Sequence, residues 1–172
     1  MTRPVIALTV ILATLSGASQ VHAQEPTGCD KFKWDVARER AALDLPNTAK
    51  LPSGSEISAT LPQTVTLDLK STGDAKLPMP PERTPKPGTF AGFSTLNAIP
   101  ASGTYSISLS SAAWVDVVQN GGFLKPKAFS GVTGCDGIRK TMKFDLAPGP
   151  VTIQLSGVSE SSIRMAVMPV SE

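Results

Sequence analysis

Few side chains in this sequence could do covalent or metal chemistry, and their spacing limits them further. Cys29 and Cys135 lie far apart, with no Cys-x-x-Cys pair and no adjacent base to generate a thiolate. The single histidine, His22, falls inside a segment expected to be removed, which leaves no imidazole in the working chain. That excludes Ser-His-Asp and Cys-His catalysis, imidazole zinc sites, His-ligated haem and a two-His-one-carboxylate iron centre. No serine has a lysine three residues on, and Gly-x-Ser-x-Gly does not occur, so hydrolase chemistry has no local foothold. No catalytic residue, cofactor or metal ligand is expected.

The remaining constellations point to binding, and each has a bland alternative. Gly131, Gly134 and Gly137 around Cys135 and Asp136 could cradle an anion, but no Gly-Lys-Ser/Thr follows, so backbone bending at a bridge is the expected role. Asp116, Asp136 and Asp145 lack any calcium-loop spacing and read as solvent-facing acids. Lys125, Lys127, Arg139, Lys140 and Lys143 make one region basic enough for an acidic glycan or phospholipid surface, or else are outward charges on a sheet. Trp34, Trp114 and Tyr105 could offer a stacking platform, although Tyr105 and Trp114 sit in apolar runs where burial is the default. The candidate ligand surface is therefore Trp34, Trp114, Lys125, Lys127 and Arg139.

The elements that must position these residues begin with an export signal. Arg3, an apolar run from Val5 to Leu15 and the small-x-small end Val21-His22-Ala23 have the form of a signal peptide over residues 1–23, with cleavage before Gln24. The new end is Gln and not Cys, so no lipid anchor is expected, and no later run is apolar enough for a transmembrane segment. A periplasmic or secreted location follows. In such an oxidising compartment an even pair of cysteines is most simply one disulfide, Cys29 to Cys135, contributing about 4 to 5 kcal/mol on the chain-entropy account. The formal net charge of +2 falls by one with Arg3, which gives no electrostatic case for nucleic acid.

Residues 24–172 are the size of one domain able to bury its own core. Phe32, Val36 and Leu43 at helical spacing, with Ala37, Ala41 and Ala42, predict one short N-terminal helix capped by Asp35 and ended by Pro46; its Arg38, Glu39 and Arg40 read as a solvated face. Leu51-Pro52-Ser53-Gly54 is turn material, and Val65, Leu67 and Leu69 alternate as a half-buried strand. Five prolines between Pro78 and Pro87 make residues 71–89 a stiff surface connector, or alternatively a proline-rich ligand motif. Thereafter short apolar alternations recur: Phe90 to Leu96, Tyr105-Ile107-Leu109, Ala113 to Val118 with a hairpin turn at Asn120-Gly121-Gly122, Ile138-Met142-Phe144-Leu146 on one parity, Val151-Ile153-Leu155 and Ile163-Met165-Val167. The expected fold is mainly β, an antiparallel sandwich of jelly-roll or similar type.

Gly103-Thr-Tyr-Ser-Ile-Ser-Leu109, Trp114-Val-Asp-Val-Val118, Lys140 to Gly149 and Val151 to Gly157 together resemble the bacterial prepeptidase C-terminal type of β-sandwich module, which implies a non-catalytic appendage. Thr27 to Trp34, Arg38 to Leu43 and Phe129 to Lys140 resemble small exported proteobacterial proteins of unestablished function, some described as homogentisate 1,2-dioxygenases. That description implies ferrous iron on two histidines and a carboxylate, and no position of the mature sequence carries the histidines over. The expected function is a non-catalytic β-sandwich that binds an envelope protein, glycan or surface, with an enzyme as the alternative.

Overall fold

A computed structural model describes residues 24–58 and 60–170; the expected leader, with His22, lies outside them. A single 3-10 turn (Cys29–Lys31) and one α-helix, α1 (Ala37–Leu43), precede twelve strands among the described residues. These are β1 (Ala49–Pro52), β2 (Ser55–Ile57), β3 (Gln63–Asp68), β4 (Lys70–Ser71), β5 (Phe90–Ile99) and β6 (Gly103–Leu109), then β7 (Trp114–Gln119), β8 (Gly122–Leu124), β9 (Ala128–Gly131), β10 (Lys140–Leu146), β11 (Gly149–Val158) and β12 (Ser162–Pro169).

Alternating hydrophobicity sorts them into two sheets that pack as a β-sandwich. The first runs β1-β3-β12-β6-β10-β9; the second runs β2-β5-β11-β7-β8, with β4 also on β5. Val65, Leu67, Tyr105, Ile107, Leu109, Met142, Phe144, Ile163 and Met165 of the first sheet meet Leu96, Val115, Val117, Val151, Ile153 and Leu155 of the second in one continuous core. The pairing is antiparallel except at two short edges, where β1 lies parallel to β3 and β2 parallel to β5. The stretch around Leu51-Pro52 is thus paired strand and not only turn. At Asn120-Gly121 both residues have positive φ, 54° and 77°, which is the two-residue hairpin geometry the sequence predicts between β7 and β8.

The helix docks on the outer face of the first sheet, where Val36 and Leu43 cover Ala166 and Met168 of β12. The N-cap position is taken by Val36 and not by the expected Asp35, which stands one residue earlier and whose Oδ1 accepts the Ala37 N–H at 2.9 Å. The charged helix face is not simply solvated, because the buried Ser106 hydroxyl donates to Glu39 Oε1 at 3.0 Å and Arg40 Nε donates to the Asp136 carbonyl at 2.8 Å. Ile138 also departs from its expected face. Gly137, at φ 84°, turns the chain just before β10, and Ile138 packs with Val36 and Leu43 under the helix, outside the central core. Cys29 and Cys135 stand at disulfide distance, Cα atoms 4.8 Å apart, beside a parallel bridge between Thr27 and Thr133.

The proline-rich segment is a strap over the outer face of the second sheet. Its neck is closed by Thr72, whose N–H and hydroxyl both donate to the Thr89 carbonyl. No helix among the described residues is long and apolar enough to cross a membrane.

Candidate functional site

Strand alternation decides which face of the second sheet can meet a ligand. Val115 and Val117 of β7 point into the core, so Trp114 and Asp116 point outward, beside Ser156 and Gln154 of β11 respectively. The strap crosses this face and makes it partly dry. Gln154 holds Met79 by both of its amide atoms, and Asp116 Oδ2 accepts the Glu82 N–H at 3.2 Å. The other carboxylate oxygen, Oδ1, accepts the Trp114 indole N–H at 2.6 Å and fixes the ring. Asp116 is therefore buried, not solvent-facing; burial pushes its carboxyl above the usual range, and the Trp114 and Glu82 hydrogen bonds offset part of that shift.

Where the strap leaves the sheet, a cleft of about 600 Å³ opens. Strap residues Arg83 to Lys86, Trp114, Phe129 of β9, Arg139 and Lys140 at the start of β10, and the N-terminal Glu25 line it. Lys140 bridges the two sheets, its Nζ donating to the Ala113 carbonyl at 2.9 Å. Burial, followed by the nearby Arg139 and Arg83 charges, lowers the Lys140 ammonium below the ordinary lysine range. Arg83 and Lys140 both approach the Trp114 ring, at 5.6 Å and 5.9 Å from its centroid. Arg139 pairs with the Glu25 carboxylate. Trp114 and Phe129 remain 36% and 57% exposed, so the cleft is cationic and aromatic together.

Of the five candidate surface residues, the cleft unites Trp114 and Arg139 only. Trp34 is half-buried beside the helix cluster with Lys143 Nζ 4.5 Å from its ring centroid. Lys125 is exposed just after β8 and does not line the cleft. Lys127 lies in a separate hollow with Tyr105 and Lys143, and pairs with Asp145 at 3.2 Å. Tyr105 itself is core, its hydroxyl donating to the Ala101 carbonyl. Sequence reasoning missed Arg83, Glu25 and Phe129. Basic character within the prolines of the strap was the available signal for Arg83, whereas Glu25 reaches the cleft through the Thr27–Thr133 bridge, which no local pattern reveals.

Among the described residues no three His, Cys, Asp or Glu side chains converge to hold a metal, and the ferrous iron implied by a dioxygenase does not fit this donor set. No protein-family model matches the chain, and no curated protein was found to be similar to it.

Proposed function

We propose that this is an exported, non-catalytic binding module of the envelope or extracellular space, and that the Trp114 cleft is its ligand surface. The observation that carries this reading is the gathering of Arg83, Arg139 and Lys140 around an indole that Asp116 holds in place. Oriented cations beside a fixed aromatic ring supply recognition without a nucleophile or a general base. An envelope protein, a glycan or an anionic surface all carry groups such a cleft can engage. The strand rhythm shared with prepeptidase C-terminal modules and the N-terminal leader pattern support the same reading.

The test is affinity capture from envelope extract with the wild-type domain and with Arg83→Ala and Trp114→Ala variants. Wild type is expected to retain a specific component that both variants lose while keeping their thermal transitions. Equal capture by all three proteins would sink the assignment of the cleft.

A further inference from the structure

We propose that the Trp114 cleft is a subsite for an acidic sugar, its carboxylate seated among Arg83, Arg139 and Lys140, its ring against the indole, and Glu25 the internal occupant it displaces. This deepens the binding reading above and rests on it.

Charge is the first support. Arg83, Lys86, Arg139 and Lys140 line the cleft against one acid, Glu25, and among the described residues neither Arg83 nor Lys140 is in an ion pair. Crowding like charges at the mouth of a cleft, with one ammonium half withdrawn from water, leaves an electrostatic deficit that an anion relieves. The depressed proton affinity of Lys140 has that same origin.

Glu25 supplies the second support, because it puts a carboxylate on the Arg139 guanidinium within the chain itself. Its side chain is 63% exposed, and its neighbours are held by main-chain bonds: Thr133 N–H to the Pro26 carbonyl at 2.8 Å and Gly28 N–H to the Thr133 carbonyl at 2.8 Å. Rotation of one exposed side chain therefore vacates Arg139 without moving the backbone. Only the Glu25 side of the pair is open to solvent, the Arg139 side chain being 23% exposed, so a ligand carboxylate that adds contacts elsewhere can take the place of Glu25 on a guanidinium that stays put.

The ring decides between acidic ligands. An aspartate or glutamate side chain offers a carboxylate but no flat apolar face, whereas a uronate-type pyranose presents both within one small unit. Trp114 is orientated in advance by its 2.6 Å bond to Asp116, so stacking demands mainly that the exposed Arg83 side chain, 5.6 Å from the ring centroid, swing from the ring toward the carboxylate. The concavity and volume suit a small saccharide unit better than a flat bilayer.

Calorimetry and tryptophan fluorescence with oligouronides of two to four units provide the test, in a Trp34→Phe background so that Trp114 reports alone. Free uronic acid, the matched neutral oligosaccharide, poly-glutamate and anionic phospholipid vesicles form the other arms. Oligouronides are expected to bind and quench Trp114, more weakly as salt rises, with the free acid distinguishing a monosaccharide site from one for a polymer unit. Arg83→Ala and Trp114→Ala should each weaken binding about tenfold, which is about 1.4 kcal/mol. Glu25→Gln should tighten it, and Lys125→Ala, outside the cleft lining, should leave it unchanged. Arg83 is exposed, so Arg83→Ala keeps the test informative should Trp114→Ala misfold. Equal binding of the neutral sugar, preference for poly-glutamate or vesicles, or a Glu25→Gln variant that binds more weakly would each overturn the proposal. If oligouronides fail while Arg83→Ala still abolishes envelope capture, the sugar assignment falls alone; if capture is also insensitive, the binding reading falls with it.

Discussion

Gln154 meets Met79 twice, its Oε1 accepting the Met79 N–H at 2.8 Å and its Nε2 donating to the Met79 carbonyl at 3.1 Å. The side-chain amide thereby stands in for a neighbouring strand on a face that has none. Gln154 is buried, so Gln154→Leu strands a main-chain donor and acceptor at once and should cost about 1 to 3 kcal/mol. Urea titration measures the loss, and limited proteolysis should then cut within residues 74–88 faster than in wild type. An unchanged midpoint and cleavage rate would mean that the strap is held by other contacts.

Asp116 and Asp145 should bend the acid limb of stability in opposite directions. The Asp116 carboxyl is raised by burial, so the folded state binds more protons and stability falls as pH rises from the ordinary carboxylate range through its folded value. Asp145 is lowered by the Thr104 hydroxyl and Lys127, so its contribution is present above the ordinary carboxylate value and is lost as pH falls through the folded one. Urea midpoints between about pH 3 and pH 7 should therefore rise more steeply with pH in Asp116→Asn than in wild type, and less steeply in Asp145→Asn. Slopes that change in the same direction would contradict the assignment.

Cys29 and Cys135, separated by 106 residues in sequence and 4.8 Å apart at their Cα atoms, are expected to be bonded in protein purified from an oxidising compartment. Mass spectrometry after alkylation without reduction should find neither thiol modified. The Cys29→Ser/Cys135→Ser variant should lose about 4 to 5 kcal/mol on the chain-entropy account. Two alkylated thiols in the unreduced protein would remove the bridge.

Homogentisate should not be cleaved by a protein lacking residues 1–23 and supplied with ferrous iron and reductant. Such an oxygenase holds its iron on imidazoles and a carboxylate with positions left open for substrate and oxygen, and among the described residues no three His, Cys, Asp or Glu side chains come together. Oxygen uptake and the ring-opened product are the readouts, with a chelator control. Chelator-sensitive turnover at about 1 per second or faster would overturn the non-catalytic reading.

Strand alternation made much of the sandwich legible. Tyr105, Ile107 and Leu109 predict an inward face that β6 presents, and Asn120-Gly121 predicts the β7–β8 hairpin. The parallel edges β1 and β2 escaped, since strands of four and three residues carry too little alternation to register, and Pro52 argues against a strand. Ile138 was misplaced because parity counts residues and ignores the turn at Gly137. Asp116 read as an exposed acid because its cover, Glu82, arrives from a distant segment. The cleft is illegible for the same reason: Glu25, Arg83, Trp114 and Arg139 share a wall and no stretch of sequence.

The strap is anchored by atoms that every residue except proline possesses. Gln154 reads the amide and carbonyl of Met79, and Asp116 reads the amide of Glu82, so none of the three bonds depends on the side chain at position 79 or 82. Residues 83–86 can then be exchanged while the path of the chain stays where it is, provided positions 79 and 82 keep an N–H. Such a segment behaves as an interchangeable faceplate on a fixed mount. A library randomised at 83, 84 and 86 would vary what the cleft prefers while leaving the sandwich beneath untouched.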